Sequence, residues 1–378
     1  MTQTTPNGPR VAFVMEQTLG HVTHCRNLEG LLPGDGRIDP VFLHVPFETT
    51  GAMRHMPGYS NWTVRASLRA GRAIRRENGQ APLDALFVHT QVPAVLNTDR
   101  FRGIPRVVSL DATPLQYDEL GDVYGHESGS DRLERLKHAL NTRCYQRADR
   151  LVTWAEWTKA GLVADYGVDP ADVEVIPPGV DPQKWWFPPR TGTTDDSEPV
   201  RVLFVGADLR RKGGFDLVEA VREVRRRLTE SGSPAELELH VVTTAELSPE
   251  PGVFVHRGLT PNSPELIDQY RRADIFCLPT YGDCLPMVLS EAGAAGLPLV
   301  ATDVGAISEI VHDEKTGRLV RPGAIGELAD ALVDLAENRE RARRLGSAAC
   351  ELVRERYDAA KNARRIVDVM LNIGKRRR

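Results

Sequence analysis

The sequence predicts an α/β protein built from two doubly wound domains, each with a buried parallel sheet. Two segments, Arg10–Met15 and Val200–Val205, have the pattern of buried strands, and each precedes a glycine-containing loop and a helix. This order begins a βαβ unit, in which ligands bind at the carboxyl ends of the strands. A polar segment rich in Pro, Thr and Asp separates the two openings and is typical of a linker. The expected division is a first domain at 1–187, a linker at 188–199, a second domain at 200–356 and a C-terminal helix at 357–378.

Length and composition limit the class of protein. A chain of 378 residues is too long for one ordinary domain, and 41% hydrophobic residues are enough for sizeable cores. A net charge of −4 excludes a globally basic nucleic-acid-binding protein. No apolar run approaches the roughly 20 residues that span a bilayer, and the N-terminus lacks a signal-peptide core. We therefore expect a cytoplasmic protein with no nucleic-acid partner.

The cysteines also bear on the compartment. There are five, they are scattered, and no two form a CxxC pair. An odd number without paired spacing argues against a disulfide framework or a zinc site, and a reducing cytoplasm is the simpler interpretation. The five are Cys25, Cys144, Cys277, Cys284 and Cys350.

The stretch 279–309 carries the densest chemical signal. A strand end is followed by a loop with Asp283 and by a helix predicted at Leu285–Ala294, with Pro286 in its first turn. Such a helix directs free N–H groups and the positive end of its dipole at an anion such as a diphosphate. Carboxylates such as Asp283 and Glu291 accept hydrogen bonds from the diol of a sugar. The pattern fits a nucleotide sugar, and two solvated surface acids are the alternative explanation.

A basic turn follows the first strand of the second half. Arg211, Lys212 and Gly213 lie between the end of Val200–Val205 and the next predicted helix. A Lys or Arg at this place reaches a diphosphate, and glycine lets the backbone approach closely. The alternative explanation is a solvated basic turn.

Together these features resemble the signature of the retaining glycosyltransferases of family 4. The resemblance rests on the seven-residue gap between Asp283 and Glu291, on the turn Ala294–Pro298, and on the segment Ile176–Asp181. It implies the GT-B fold, in which two Rossmann-like domains face a central cleft and the C-terminal helix, here 357–378, crosses back to the first domain. The sequence departs from the pattern at Asp283, where the family commonly has Glu, and at Pro286, where glycine is usual. Because Asp is one methylene shorter than Glu, the donor sugar and its pose stay open.

The resemblance implies that the second domain binds a UDP- or GDP-linked sugar as substrate, without a further cofactor. Lys212 and Arg211 would stabilise the departing diphosphate. Asp283 would hold the hydroxyls of the donor sugar. No Asp-x-Asp motif is evident, so we expect transfer without a metal. The implied donor-binding residues are Gly20, Gly206, Gly258, Cys284, Leu285, Pro286, Met287 and Glu291.

The family uses the first domain for the acceptor, and here the resemblance is weaker. Gly20 and His21 are predicted in the loop before a helix at Thr23–Leu31, and His89 ends a strand. His21 fits either the acceptor side or a plain polar loop residue. The expected acceptor is a saccharide, a lipid-linked sugar or a small metabolite.

Asp111 follows the predicted strand Arg106–Leu110, at a place where the family often has a histidine near the reacting carbon. Either Asp111 holds the sugar or the acceptor, or it only caps the turn that contains Thr113 and Pro114. Tyr117 follows in a polar loop that is close enough in sequence to meet the acceptor.

A stripe of arginines with 4-3-4 spacing runs along a helix predicted at Ser60–Glu77. Such a stripe binds anionic lipid headgroups and would dock the protein at the inner membrane face. The alternative is a solvated face on a helix that packs Val64, Leu68 and Gly71 inward. The stripe consists of Arg65, Arg69, Arg72 and Arg76.

Two other functions fit the same pattern. A nucleotide-sugar epimerase of the same fold would need acids that act on the sugar ring, and Asp111 leaves this open. A sugar-nucleotide-binding protein without catalysis would tolerate Asp283, and would tolerate Ala207 where the family often has a second basic residue.

Overall fold

The structure is a computed structural model that describes residues 8–47, 61–121, 130–185, 187 and 198–376. Contacts divide the chain into two compact units. The first comprises Met1–Gln116, Glu127–Pro178 and Ala359–Arg378, and the second comprises Tyr117–His126 and Gly179–Asp358. The division falls at Pro178, before the predicted linker, whose residues 188–197 lie outside the described residues.

The first unit contains a six-stranded parallel sheet in the order β2-β1-β3-β4-β5-β6. Its central strands are buried on both faces, which is typical of parallel sheets covered by helices. The strands are β1 (Arg10–Gln17), β2 (Asp39–Pro46), β3 (Ala85–His89), β4 (Arg106–Leu110), β5 (Arg150–Thr153) and β6 (Val173–Val175). The helices between them are α1 (Leu19–Leu31), α2 (Trp62–Gln80), α3 (Gln91–Ala94), α4 (Pro114–Glu119), α5 (Asp131–Gln146) and α6 (Glu156–Tyr166).

The second unit contains another six-stranded parallel sheet, in the order β12-β11-β10-β7-β8-β9. Its strands are β7 (Val200–Val205), β8 (Leu237–Val242), β9 (Val253–His256), β10 (Ile275–Leu278), β11 (Leu299–Thr302) and β12 (Gly317–Val320). Its helices are α7 (Pro182–Trp185), α8 (Gly214–Ser231), α9 (Pro264–Arg272), α10 (Met287–Ala294), α11 (Ile325–Glu337) and α12 (Arg339–Arg356). The last helix of the chain is α13 (Ala359–Arg376).

Alternation along β1 creates two cores, one on each face of the first sheet. Ala12 and Val14 join a core with side chains of α2, α5 and α6. Val11 and Phe13 join the other core, where α1 packs beside α13. The helix α13 therefore belongs to the first unit, and the side-chain amide of Asn362 donates to the Pro177 carbonyl over 3.0 Å.

The strand orders also locate the switch points of the two sheets. In the first sheet the order reverses between β1 and β3, and in the second between β7 and β10. Ligands of open α/β sheets bind beyond the carboxyl ends of strands at such points. The candidate residues near His21 and near Lys212 follow these strands.

The arginine stripe on α2 is not a continuous solvent-facing row. Arg65 is buried, and its guanidinium lies over the rings of Trp62 and Phe47, 5.5 and 6.0 Å from their centres. Arg69 is half-buried and donates to the Pro46 carbonyl, while Arg72 is exposed.

The exposed arginines on α2 therefore include Arg72 and Arg76 but not Arg65. The prediction that Val64, Leu68 and Gly71 pack inward was also wrong in part. Val64 and Leu68 are half-buried, and of the three only Gly71 is buried. Among the described residues, no helix is both long and apolar enough to cross a membrane.

Candidate functional site

In the second unit, two loops at the switch point are bonded to each other. One follows β7 and the other follows β10. The backbone N–H of Tyr281 and the hydroxyl of Thr280 both donate to the Arg211 carbonyl, over 2.8 and 3.1 Å. Arg211 Nη1 in turn donates to the Gly282 carbonyl over 2.8 Å. These bonds place the basic turn directly beside the acidic loop.

The charged groups of these loops form a compact cluster. Lys212 Nζ donates to Asp283 Oδ2, and Arg211 Nη1 lies 3.8 Å from the same oxygen. Between 11% and 15% of each of the three side chains is exposed, so solvent screens their interaction only partly. Arg211 has a second acidic neighbour, Asp208, at 3.5 Å from its Nε. Two cations thus surround one buried carboxylate.

Glycines allow this close approach of the backbone. Gly213 precedes α8 in the left-handed region, with φ of 71°, and a Cβ there would lie 1.9 Å from the Pro279 carbonyl oxygen. At Gly206 a Cβ would come within 3.3 Å of Lys212 Cγ. Gly258 also has a positive φ, at the end of β9, but open space surrounds it. Only glycine therefore fits at Gly213, because a larger residue meets backbone.

The helix α10 begins at Met287, two residues later than predicted, and Pro286 precedes it as an extended N-cap with ψ of 119°. The prediction that Pro286 lies in the first turn is wrong, since its ring fixes φ but leaves ψ free. Cys284, Leu285 and Met287 are buried. The N-terminal end of α10 thus follows directly on Asp283.

Glu291 lies in the second turn of α10 and is 5% exposed. The Tyr270 hydroxyl donates to Glu291 Oε2 over 2.6 Å. Burial raises the pKa of Glu291 to about 7, against the opposing effect of this hydrogen bond. Its carboxyl is therefore held by Tyr270 rather than by the Lys212 cluster.

In the first unit, a buried polar cluster lies at the carboxyl ends of β1, β3, β4 and β5. His21 Nε2 lies 3.1 Å from Asp111 Oδ2, and His21 Nδ1 lies 3.2 Å from the Thr18 hydroxyl. Gly20 and His21 lie in the first turn of α1, not in a preceding loop as expected. Gly20 is exposed and has no atom within 4 Å of a Cβ built on it.

A second carboxylate, Glu16, lies near His21, and its charge favours the protonated ring. Glu16 accepts hydrogen bonds from Trp62 Nε1, from the Thr90 hydroxyl and from the Thr18 hydroxyl, over 2.7, 2.6 and 3.1 Å. Because the one hydroxyl proton of Thr18 goes to Glu16, its oxygen accepts from His21. His21 then carries a proton on Nδ1, and a second proton on Nε2 would be donated to Asp111.

The electrostatics of the cluster agree with this assignment. Burial alone would lower the pKa of His21, but the charge and hydrogen bond of Asp111 and the charge of Glu16 raise it above its ordinary value. Burial and the charge of His21 lower the pKa of His24 to about 3. Burial, with the charges of His21 and His24, also holds the pKa of His89 well below its ordinary value.

Aromatic rings pack against one another within this cluster. The Trp154 ring stacks on His89, with centres 5.2 Å apart and planes at 13°. The rings of His21 and His24 meet Trp154 edge-on, at 5.6 and 5.2 Å. Within the part of the chain that the structure describes, His24 Nε2, His89 Nε2 and Trp154 Nε1 are buried and have no hydrogen-bond partner. The cluster is thus a closed group of rings that includes the histidine bonded to Asp111.

The structure brings together His21, His89 and Asp111, three predicted residues. Asp111 binds His21, while the cap of α4 comes from the Thr113 hydroxyl, which accepts from the Gln116 N–H over 3.2 Å. Tyr117 is half-buried in α4, where the second unit begins. Sequence reasoning missed Glu16 and Trp154. A signal for both was available, because each follows or ends a strand of the same sheet as Asp111 does.

Comparisons with solved structures identify the fold. Sucrose-phosphate synthase from Thermosynechococcus elongatus has a TM-score of 0.73 at 16% identity, over 97% of this chain and 99% of that chain. The Anabaena protein HepE, solved in complex with UDP and glucose, has a TM-score of 0.69 at 15% identity, over 96% and 100%. Two parallel six-stranded sheets with these neighbours define the GT-B class of glycosyltransferase folds.

Family models identify the family. A model of "Glycosyl transferases group 1" matches residues 199–338, and a model of "Glycosyltransferase Family 4" matches residues 32–184. Together they match more than three quarters of the chain. The chain belongs to the group 1, family 4 glycosyltransferases.

Curated relatives agree with this assignment. D-inositol 3-phosphate glycosyltransferase of Nocardia farcinica is 35% identical over 214 residues, 53% of this chain and 47% of the relative. Glycogen synthase of Mycobacterium tuberculosis is 27% identical over 320 residues, 79% of this chain and 72% of the relative. The chain spans about half the length of the first curated relatives it matches.

Proposed function

We propose that this chain is a retaining glycosyltransferase that moves a hexose from a nucleotide sugar to an acceptor hydroxyl without a metal ion. One observation carries the proposal. Arg211 and Lys212 lie beside Asp283 and the N-terminal end of α10, at the switch point of the second sheet. This arrangement offers positive charge and N–H donors to a diphosphate, and a carboxylate to sugar hydroxyls.

Charge accounting supports this use of the cluster. Asp283 is the counter-ion of Lys212 and lies within 3.8 Å of Arg211, so two cations share one buried anion. A diphosphate would compete with Asp283, and with the exposed Asp208 beside Arg211, for these two cations, and would release Asp283 toward the sugar. Charge-assisted bonds from Lys and Arg to phosphate are stronger than neutral ones, and they strengthen further as negative charge develops on the leaving group.

The relatives favour a UDP-linked hexose as the donor to test first. HepE was solved with UDP and glucose, and sucrose-phosphate synthase and glycogen synthase are named for products that contain glucose. The D-inositol 3-phosphate glycosyltransferases are named for a phosphorylated polyol acceptor. We infer a hydroxyl-bearing acceptor of the saccharide, lipid-linked sugar or small polyol class, which the first unit would bind.

The proposed step is a displacement at the anomeric carbon with retained configuration. The acceptor oxygen forms the new bond on the face that the diphosphate leaves, and the acceptor proton passes to a phosphate oxygen of the leaving group. Lys212 and Arg211 stabilise the charge on that group. No side chain of the second-unit cluster is needed as a base.

The test is calorimetric binding of UDP-glucose and GDP-mannose in chelator-treated buffer. We expect one of the two to bind to the wild-type chain and Lys212→Ala to weaken that binding by roughly 100-fold, since it removes a charged partner of phosphate. The matched control is Lys159→Ala, a lysine of α6 in the first unit that bonds the Val173 carbonyl over 3.1 Å. Equal binding by wild type and Lys212→Ala would contradict the proposal.

Analysis of the products distinguishes a transferase from an epimerase and from a binding protein. Incubation of the bound donor with a panel of polyols and saccharides, followed by NMR of the anomeric proton, distinguishes transfer from epimerisation. A new α-linked glycoside from an α-linked donor supports a retaining transferase. An altered sugar still joined to its nucleotide would indicate an epimerase, and binding without turnover would indicate a binding protein.

A further inference from the structure

Three side chains that commonly ligate metals lie together in the first unit, outside the clusters described above. Cys25 and Glu29 are one turn apart on α1, and His44 lies on β2. Their ligand atoms, one from each residue, are all within 4.8 Å of one another. A thiol, an imidazole and a carboxylate make a donor set typical of zinc in proteins.

The distances are close to those of a metal site. Ligand atoms about 2.0–2.3 Å from a tetrahedral zinc ion lie roughly 3.5 Å apart, so the trio must close by about 1 Å. His44 Nε2 and Glu29 Oε1 are 2.7 Å apart in a hydrogen bond, so this pair would separate by roughly 0.8 Å as a metal ion replaces the shared proton. The His44 side chain is 50% exposed and that of Glu29 33%, so both can shift without disturbing a core. Cys25 is buried and provides the fixed ligand.

We propose that Cys25, Glu29 and His44 bind a borderline-soft divalent cation of the zinc class, with water in the remaining position. The thiolate selects against Mg²⁺ and Ca²⁺, which prefer oxygen ligands. The absence of paired cysteines in the sequence argued against a zinc site, but here one cysteine combines with ligands from the next helical turn and from a neighbouring strand.

The site would act on the first-unit cluster through α1. His21 precedes Cys25 by four residues and Glu29 by eight, so all three lie along one face of the helix. A metal bridge between α1 and β2 would fix the helix one turn from the histidine that contacts Asp111. The proposal does not depend on the glycosyl transfer proposed above, because its readouts are spectroscopic.

The experiment is a titration of the chelator-treated full chain with Co²⁺, a spectroscopic substitute for Zn²⁺. We expect one Co²⁺ per chain with a thiolate-to-cobalt absorption band that Zn²⁺ abolishes and excess Mg²⁺ leaves unchanged. Cys25→Ser should abolish the band, and His44→Gln should weaken binding at least tenfold. Cys350→Ser is the matched control, since this half-buried thiol lies in the second unit, on α12, and should leave the band intact.

The outcomes decide the proposal in either direction. A missing band in the wild type, a band that survives Cys25→Ser, or a band lost in Cys350→Ser would overturn it. Circular dichroism of each metal-free variant checks its fold. If Cys25→Ser does not fold, the affinity of His44→Gln for Co²⁺ is the deciding measurement, because that exposed side chain can be replaced without a cavity. Unchanged affinity would then reject the site.

Discussion

The carboxyl ends of the two sheets carry different chemistry on the same topology. In the first unit, side chains from four strand ends pack together, and His21 lies between Asp111 and the Thr18 hydroxyl that is bonded to Glu16. In the second unit, two backbone loops meet through a glycine, and Lys212 and Arg211 share Asp283. The first cluster places one histidine beside two carboxylates, whereas the second places two cations beside the buried Asp283 and the exposed Asp208.

The two clusters should therefore be sensitive to different kinds of substitution. A cluster made of side chains tolerates small backbone changes but depends on each proton and charge. A cluster made by loop contact depends on backbone geometry, and its two adjacent cations suit an anionic ligand. Substitutions at glycine should therefore affect the second unit most, and substitutions that change protonation should affect the two units in different pH ranges.

Gly213→Ala should have the largest effect on stability. Gly213 and Gly232 cap the two ends of α8 with nearly equal φ, 71° and 69°, but only at Gly213 would a Cβ meet backbone. We expect Gly232→Ala to cost about 1 kcal/mol from backbone strain and Gly213→Ala about 3 kcal/mol or more, with loss of donor binding. Thermal unfolding of both variants tests this, and equal costs would contradict the importance of loop contact.

Glu291→Gln should change the pH dependence of the second unit. Burial raises the pKa of Glu291 from 4.5 to about 7, so the folded chain binds the proton more tightly and loses stability as pH rises between these values. Glutamine removes that loss, and we expect the variant to be more stable than wild type by about 2 kcal/mol at pH 8 and nearly equal at pH 4.5.

Unfolding of wild type and Glu291→Gln at the two pH values provides the measurement. Glu340→Gln on the exposed side of α12 is the control and should track the wild type at both. A variant that is less stable than wild type at pH 8 would show that the carboxylate of Glu291 is stabilised rather than strained by its surroundings.

Asp111→Asn, in the first unit, should have the smallest effect on stability. Its charge and hydrogen bond raise the pKa of His21, so their contribution is complete below the ordinary value of 6.5 and disappears as pH rises through the raised value. We expect a loss of about 1 kcal/mol at pH 6 that shrinks at pH 9. NMR titration should show the His21 pKa falling, and an unchanged value would refute the pairing.

Much of the fold was predictable because hydrophobic runs mark buried parallel strands. The predicted strands Val200–Val205 and Arg106–Leu110 have the same bounds as β7 and β4. The start of α1 was harder to predict from the sequence. Gly20 is a poor helix former, and the neighbouring residues do not show that Thr18 is the extended N-cap. The prediction of an exposed arginine stripe on α2 was wrong at Arg65, which is buried. The spacing shows that the arginines share one face of the helix, but it does not show which parts of that face the rest of the protein covers.

The second-unit site was easier to predict than the first. The family resemblance assigned Lys212 and Asp283 to neighbouring parts of one donor, but nothing in the sequence indicated that the two side chains would form an ion pair. The bond between His21 and Asp111 joins residues 90 positions apart, and their spacing carries no sign of it. The Cys25 trio likewise joins a helix to a strand, so no linear motif reports it.

The place of α13 in the first unit bears on how the protein is synthesised. Its residues Ile366, Val367 and Met370 complete a core with Val11 and Phe13 of β1. The ribosome makes the entire second unit before it makes α13, so until then only α1 and its flanking residues cover this face of the first sheet, while the second unit can complete its fold. A fragment ending at Pro178 would expose that face permanently, and separate expression of the first unit requires α13 as a second chain or a fused segment.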